Sequence, residues 1–434
     1  MQGSVAFILM VLLATVSVVR AEEIIRQGEM MNLERCIEIS LMRHPNILAG
    51  RSTVDADLSR VGQSRANYYP QINLSSGYSR ISPLTGTGST SSTGSTVSTD
   101  SSFDQYSSSV SLNQNIYDFG RTPMQVKISR FNLDSSRMDL ENTQDVVVLN
   151  VKQAYFGVLQ AKRNRDVAAD TVKQFELHLA QARGFFEAGT NPKFDVTKAE
   201  VDLSNAKLNL IRAEHALKIA IVNLNNAMGL PDAPEYELED NLSFQKYDMT
   251  LETALSTALE NRPDLLSVSA RKEAASSSID LAKSNYYPSI TGNAAYNWAG
   301  ESFPLEHGWI VGATLSFPLF SGYLTKYQVA EARANLSAAE ANEEVLRQSI
   351  TRDVQQAYLT LKAAEEGIPA AELTVKQATE NLDIANGRYT AGVGNPIEVT
   401  DAEVSMLNAK TAYIQTLYAY KVAQANLEKA MGVR

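Results

Sequence analysis

Three carboxylates follow two glycine-containing turns, and their positions suggest a site. Asp195 follows the segment AGTNP at 188–192, and Glu398 and Asp401 follow AGVGNP at 391–396. Glycine ends a helix and Asn-Pro begins the next one, so each acid is predicted in or near a first helical turn. Carboxylates there complement the helix dipole. That structural role stands beside a functional one, which the positions alone do not define.

Residue types typical of catalysis or metal binding form no recognisable pattern elsewhere. The four histidines lack metal-ligand spacing, and Cys36 is the single cysteine. The sequence has no nucleophile elbow and no glycine-rich phosphate loop. The carboxylate pairs Glu343-Glu344 and Glu365-Glu366 are predicted to be solvated helix residues. We therefore expect no enzymatic activity, no metal site and no cofactor.

The composition is that of a folded, exported chain. Of 434 residues, 44% are hydrophobic and 20% charged, which argues against disorder. A net charge of −10 argues against nucleic acid as a partner, because such partners need a basic surface. Val5–Val19 is apolar but too short to span a bilayer, and the small-residue site ending at Ala21 predicts a signal peptide over residues 1–21.

An internal duplication organises the rest of the chain. Leu33–Leu48 matches Leu251–Leu266 at an offset of 218 residues, and later segments match at 203, so the first copy carries 15 extra residues. These extra residues lie in a Ser/Thr/Gly tract around 82–102, which predicts a flexible loop. The predicted domains are a first repeat 22–229 (β-hairpin 69–118, long helical hairpin 122–229), a linker 230–250, and a second repeat 251–434 (β-hairpin 287–320, long helical hairpin 325–431).

Four predicted strands alternate apolar and polar residues with a period of two. The last of them puts alternate residues from Trp309 to Leu319 on one face. Strands of this length with aromatic ends fit the wall of an outer-membrane barrel, although half-buried soluble strands would look the same. Four strands cannot close a barrel, since the smallest have about eight. If they enter a membrane, several chains must therefore associate.

The helices carry the clearest periodicity. Thr122 as cap and Pro123 in the first turn predict a helix that runs to Glu187, roughly 100 Å long at 1.5 Å per residue. The return helix places leucine and alanine at steps of three and four, as in a coiled-coil seam. In the second copy, Pro369 is expected to kink the long helix, because proline lacks a backbone donor.

Several segments together resemble one family. They are NYYP at 67–70 and 285–288, IYDFGR at 116–121, LFSG at 319–322 and RYTAG at 388–392. The mature chain resembles the TolC-like outer membrane efflux proteins, also called outer membrane factors. The resemblance implies an α+β membrane protein whose long antiparallel coiled-coil hairpins form a trimeric α-barrel across the periplasm. Four strands per chain would then contribute to a twelve-stranded trimeric β-barrel in the outer membrane of a Gram-negative bacterium.

The resemblance also implies a function and its partners. The chain would form a homotrimeric exit duct of a tripartite efflux or type I secretion system, in contact with outer-membrane lipid. A periplasmic adaptor (membrane fusion) protein and an inner-membrane pump of RND, ABC or MFS type would complete the system, with the duct gated at the helix tips. The alternative from the residues is a periplasmic coiled-coil adaptor without a channel, which explains the helices but not the strands. The transported substrate is left open.

The family's gate residues map onto positions of this chain. The expected lumenal acidic ring is Asp401, Glu398 and Asp195, and the expected latch is Tyr389 with Arg388. The family prototype has an arginine where this chain has Gly394. The adaptor is expected to dock at the tips, that is at Ala188, Gly189, Thr190, Ala391, Gly392 and Val393.

Overall fold

The structure is a computed structural model that describes residues 25–82 and 102–434. The predicted signal peptide, 1–21, and most of the predicted flexible loop lie outside these residues. The helices are α1 Leu33–Arg43, α2 Pro45–Arg65, α3 Arg121–Glu187, α4 Lys193–Met228, α5 Leu251–Asn261, α6 Pro263–Ser284, α7 Leu324–Thr390 and α8 Pro396–Met431. The strands are β1 Met30–Met31, β2 Gln71–Ile81, β3 Phe103–Tyr117, β4 Glu237–Leu238, β5 Ser289–Gly300 and β6 Glu306–Ser316.

One antiparallel sheet contains the four long strands in the order β2-β3-β5-β6. Leu74 pairs with Val110, Val110 with Tyr296, and Tyr296 with Trp309. Residues directly opposite each other share a face, so this row is apolar across the whole sheet. The row two positions away repeats the pattern with Ile72, Leu112, Ala294 and Val311.

The apolar face of the sheet is not covered by the rest of the described chain. Leu74 is 73% exposed and Trp309 is 74% exposed. The opposite face carries serine, asparagine and threonine, so the alternation predicted from the sequence is confirmed. The last strand is shorter than predicted: β6 ends at Ser316, two residues before Pro318, which cannot donate a ladder hydrogen bond.

Two long helices and two return helices form the largest part of the molecule outside the sheet. α3 and α7 have 67 residues each, about 100 Å at 1.5 Å per residue, and α4 and α8 have 36 each. α3 packs on α4 and α8, and α7 packs on α8, so the order in this half is α4-α3-α8-α7. Nearer the sheet, α2 and α6 pack on α3, and α6 also packs on α7. No described helix has the length and hydropathy to cross a membrane.

The strand-to-helix turns of the two copies are alike. Phe119 and Gly120 both have positive φ before α3, and Gly322 and Tyr323 both have positive φ before α7. The predicted cap Thr122 is wrong: helix α3 begins at Arg121, and the Asp118 carboxylate accepts from the Thr122 N–H (2.8 Å) and from its hydroxyl. Asp118 is better placed because the turn directs its side chain back over the first helical turn.

The predicted linker 230–250 contributes to the largest apolar core. β4 pairs in parallel with β1, and Leu242 is buried. Two buried tyrosines donate to linker carbonyls: the Tyr155 hydroxyl to Glu239 O and the Tyr420 hydroxyl to Gln245 O, both at 2.7 Å. The segment therefore clamps α3 and α8, which its Pro/Asp/Glu-rich sequence did not reveal.

The second long helix, α7, contains one buried acid and one proline. The prediction that Glu343 is solvated is wrong, because the side chain is buried. Its carboxylate lies 2.6 Å from Lys272 Nζ on α6 and 2.8 Å from Arg347. The interhelix partner Lys272 is far away in sequence, which is why local pattern did not reveal it. Pro369 lies inside α7, which continues as one helix from Leu324 to Thr390.

Candidate functional site

The first hairpin reverses between α3 and α4 through a glycine turn. Gly189 has a φ of +76°, which few other residues adopt. The Phe185 carbonyl accepts from the backbone N–H of Thr190 (3.0 Å) and from the Thr190 hydroxyl (2.8 Å). The Asn191 amide donates to the Asp195 carboxylate at 3.0 Å, so this predicted gate acid is engaged within its own tip.

The second hairpin reverses between α7 and α8 and is tighter. The Arg388 carbonyl accepts from the N–H groups of Val393 (3.0 Å) and Gly394 (2.9 Å). A Cβ at position 394 would lie 2.7 Å from the backbone nitrogen of Tyr389 and 2.9 Å from the Arg388 carbonyl carbon. Only glycine fits here. The position at which the family prototype has an arginine therefore cannot hold a side chain in this conformation.

The three predicted ring acids have different surroundings. Glu398 accepts from Arg388 Nε at 3.2 Å, across the α7/α8 tip, and both side chains are about half exposed. Asp401, one turn further along α8, is exposed and its carboxylate has no hydrogen bond or ion pair within the described part of the chain. Of the three acids, Asp401 is thus the one whose charge is free.

The predicted latch residue Tyr389 connects the two hairpins. It belongs to α7, is only 2% exposed, and packs against two side chains of α3, Phe185 (ring centroids 5.5 Å apart) and His178 (5.3 Å). Its buried hydroxyl faces the Asn191 side chain without reaching a normal hydrogen bond. Burial, with the nearby Asp195 charge, raises the pKa of Tyr389. Tyr389 therefore joins the hairpins by ring packing.

The six predicted docking residues are all exposed at the ends of the hairpins. Val393 presents 69% of its surface although it is apolar. Phe194, just after the first tip, is 64% exposed. Large apolar side chains that lie open at a surface mark interaction sites when they cluster. The structure brings these two tips to the same end of the molecule, since α3 and α8 pack together.

Sequence analysis missed a second set of polar residues, about one to two turns from the tips. Asp202 on α4 accepts from Thr400 on α8 at 3.2 Å and from Lys198 at 3.0 Å. Glu403 on α8 is only 4% exposed, and its Oε2 atom has no hydrogen-bond partner within the described residues. Burial, and secondarily the Asp202 charge, raises the pKa of Glu403 to about 7. The signal in the sequence that could have revealed this set is Glu403, a glutamate at a helix position that faces another helix.

Metal binding finds no support in the part of the chain that the structure describes. No three His, Cys, Asp or Glu side chains among residues 25–82 and 102–434 come together as a metal site would require. His178 is buried and its Nδ1 atom lacks a partner, and burial lowers its pKa. The carboxylates near it are two separate groups, each already paired.

Comparisons with known proteins agree with this architecture. The family model described as "Outer membrane efflux protein" matches residues 36–230 and 254–433. The chain is 25% identical to protein CyaE of Bordetella pertussis over 398 residues, which is 89% of this chain and 80% of CyaE. It is 23% identical to the outer membrane protein TolC of Escherichia coli, over 92% of this chain and 82% of TolC. The crystal structure of CusC superimposes with a TM-score of 0.81 at 18% identity, covering 96% of this chain and 98% of CusC.

Proposed function

This chain belongs to the outer membrane efflux protein family, and from that premise we propose that three copies form a passive exit duct gated at the helix tips. The duct would run from the outer membrane through the periplasm. It would receive its substrates from an inner-membrane pump through a periplasmic adaptor protein. The free edges and faces of the single chain support this assembly.

The four-stranded sheet supports closure by several copies. Its two edge strands, β2 and β6, have one unpaired side each within the described residues, and its apolar face is bare. Unpaired backbone groups are not tolerated in lipid. Three copies of four strands give twelve, an even number within the range of outer-membrane barrels. Outer-membrane lipid would then cover the apolar face.

The edge helices support the same closure. α4 and α7 are the outermost helices in the order α4-α3-α8-α7, and each carries a second apolar stripe that its own chain leaves exposed. On α4 the stripe consists of Phe194, Val201, Leu208, Ile211, Ile219 and Val222, and on α7, over the part level with α4, of Leu359, Leu373 and Ile384. Most steps are three, four or multiples of seven residues, as in a coiled-coil seam. We propose that α4 of one copy packs against α7 of the next, and this match of two stripes is the observation that carries the proposal.

The tips are proposed as the gate. Asp401, with its free charge, and Glu398 and Asp195 would provide the acidic ring at the narrow end. Tyr389 and the Arg388–Glu398 pair would hold the α7/α8 hairpin in the closed position.

The same tips are proposed as the contact to the rest of the system. The adaptor would bind the exposed turns 188–190 and 391–393, and the pump could be of RND, ABC or MFS type. The names of relatives refer to several systems, including a toluene efflux pump of Pseudomonas putida. The periplasmic adaptor without a channel is the weaker alternative, because it leaves the apolar sheet face without a role.

Cell fractionation followed by light scattering tests the proposal. We expect the protein in the outer-membrane fraction, extractable only with detergent, with a protein mass of three chains. Reconstituted in a planar bilayer, it should conduct ions. A monomer that stays soluble without detergent would contradict both the closure and the duct.

A further inference from the structure

Near the tips, the contacts inside each helical hairpin differ in kind from the contact between α4 and α8. Within α3/α4, Val172 and Phe175 pack on Ala206, and Leu179 packs with Ala199. Within α7/α8, Leu382 and Ala385 pack with Val399 and Ala402. These seams are apolar and insensitive to pH. Each hairpin near its tip is therefore a coherent unit.

The joint between α4 and α8 is polar. We define it by Asp202 and Lys198 on α4 and by Thr400 and Glu403 on α8. The hydrogen bond from Thr400 to Asp202 crosses from one hairpin to the other. Beside it lies a cavity of about 150 Å³, bordered by Asp202, Thr400 and apolar side chains such as Phe175. Packing between α4 and α8 is incomplete here, so little apolar contact holds these two helices together, whereas Tyr389 packs on α3 nearer the tip.

Glu403 is the unsatisfied member of this joint. It is buried with one carboxylate oxygen unpartnered in the described chain, and Asp202, the acid that acts on it, already binds Lys198 and Thr400. An ionised carboxylate in such a place pays a desolvation penalty that a protonated one avoids. The arrangement in this structure, which the proposed function takes as the closed state, thus suits the protonated acid.

We infer that the joint is a proton-controlled latch of the gate: protonation of Glu403 holds α8 against α3/α4, and its ionisation releases α8. The inference rests on the proposed function, in which the tips are the gate, and adds how that gate is regulated. A rise in pH on the periplasmic side would favour the open tip, and a fall would favour the closed one.

The direction follows from the two pKa values. The pKa of Glu403 is about 7 in this closed arrangement and 4.5 when the carboxyl is solvated. Below both values the acid is protonated in either state and has no effect. As the pH rises from 4.5 through 7, the closed state loses stability relative to the open one. Above 7 the penalty is complete.

Other titratable groups face the joint from each packed element. From α3, buried His178 has a lowered pKa, so acid would favour release of its ring, opposite in sign to Glu403. From α4, Asp195 and Lys198 act on that histidine, and from α7 Tyr389 packs on it. A comparison of two proteins that both retain His178 cancels its contribution.

The test compares wild type with Glu403→Gln, which preserves the size of the side chain. Open probability is measured in planar bilayers at pH 6 and pH 8 on the periplasmic side. We expect the ratio of wild type to variant to rise several-fold, on the order of tenfold, between these pH values. The control Glu200→Gln removes an exposed acid that pairs with Arg183 inside one hairpin, and should follow wild type. A ratio that does not change with pH would overturn the latch.

Two further measurements keep the outcome decisive. Thr400→Val removes the bond between hairpins without removing a titrating group, so it should raise open probability at both pH values; no increase would count against the joint. Hydrogen exchange of amides 397–404, compared between wild type and Glu403→Gln at the same pH, reports opening without conduction. If the protein conducts no ions, the proposed duct is wrong. The ratio of exchange rates between wild type and Glu403→Gln then still tests the latch. A ratio that is equal at both pH values would contradict the latch.

Discussion

At the scale of residues, Tyr389 illustrates how an aromatic side chain joins two hairpins. It is almost fully buried between α7 and α3, and its hydroxyl forms no normal hydrogen bond. The ring, through its contacts with Phe185 and His178, accounts for the connection. A tyrosine that acted through a hydroxyl hydrogen bond would lose its function on conversion to phenylalanine, and here that is not expected.

Tyr389→Ala and Tyr389→Phe should therefore behave differently. Truncation to alanine removes a buried ring, a change that costs about 3 to 5 kcal/mol in protein cores, and should raise the leak conductance of the closed duct. The phenylalanine variant should remain as closed as wild type, since it retains the ring. Leak current across planar bilayers measures both. If phenylalanine leaked as much as alanine, the hydroxyl would be the connecting group.

At Gly394 it is the absence of a side chain that shapes the tip. Without a side chain, residue 394 can fold back on the last turn of α7. A Cβ added there would lie 2.7 Å from the backbone nitrogen of Tyr389. The nearby Arg388 instead pairs with Glu398, across the same tip. The second tip thus has its arginine at position 388, where the side chain reaches Glu398 across the turn.

At the scale of elements, the long helices begin at a turn that both copies share. Asp118 caps α3, and the equivalent Ser321, 203 residues later, lies 3.3 Å from the Thr325 hydroxyl at the start of α7. The turn contains two residues of positive φ in each copy, and in the first copy it redirects the chain from strand to helix within three residues.

Asp118→Ala should loosen the first turn of α3. Loss of an N-terminal cap costs about 1 kcal/mol, which corresponds to roughly fivefold more frequent local opening. Hydrogen exchange of amides 121, 122, 124 and 125 measures this. The matched control Asp280→Ala removes an exposed aspartate paired with Lys283 on α6 and should leave those amides unchanged. Equal exchange in wild type and Asp118→Ala would show that the turn, without the carboxylate, sets the helix start.

At the scale of the whole molecule, one chain is a section of wall with two unsatisfied edges. α3 is flanked on both sides by helices of its own chain, whereas α4 and α7 each lack a neighbour on one side. The exposed stripes on these two edges need a partner, and the chain supplies one stripe of each kind. A ring of identical copies satisfies both.

Val222→Asp should therefore weaken the trimer. Val222 is 63% exposed on α4 of the single chain, so the substitution would be almost neutral for an isolated copy. In the ring it would bury a charge against α7 of the next copy, and we expect loss of trimer on light scattering. Leu177→Asp is the control: Leu177 is 61% exposed but lies on the flanked helix α3. Equal loss in both variants would contradict the α4–α7 contact.

The sequence by itself determined the elements and their faces. Helix and strand periods are local properties, so the Leu/Ala seams, the alternating strands and the 203-residue repeat could be read directly from the order of residues. The tip turns were likewise predictable, because glycine and Asn-Pro act on their own backbone. The candidate gate residues Asp195, Tyr389, Glu398 and Asp401 came from resemblance to a family rather than from local chemistry.

Only the tertiary structure decided which side chains meet. The buried Glu403 and its neighbour Asp202 are some 200 residues apart, as are Thr400 and Asp202, and nothing in either local segment marks the pair. Local sequence likewise does not mark the pair Glu343 and Lys272, or the two tyrosines that donate to the linker. Burial and ionisation depend on the packing of distant elements. The sequence thus predicted two turns followed by acidic residues at the helix tips, and the fold revealed the polar joint between α4 and α8.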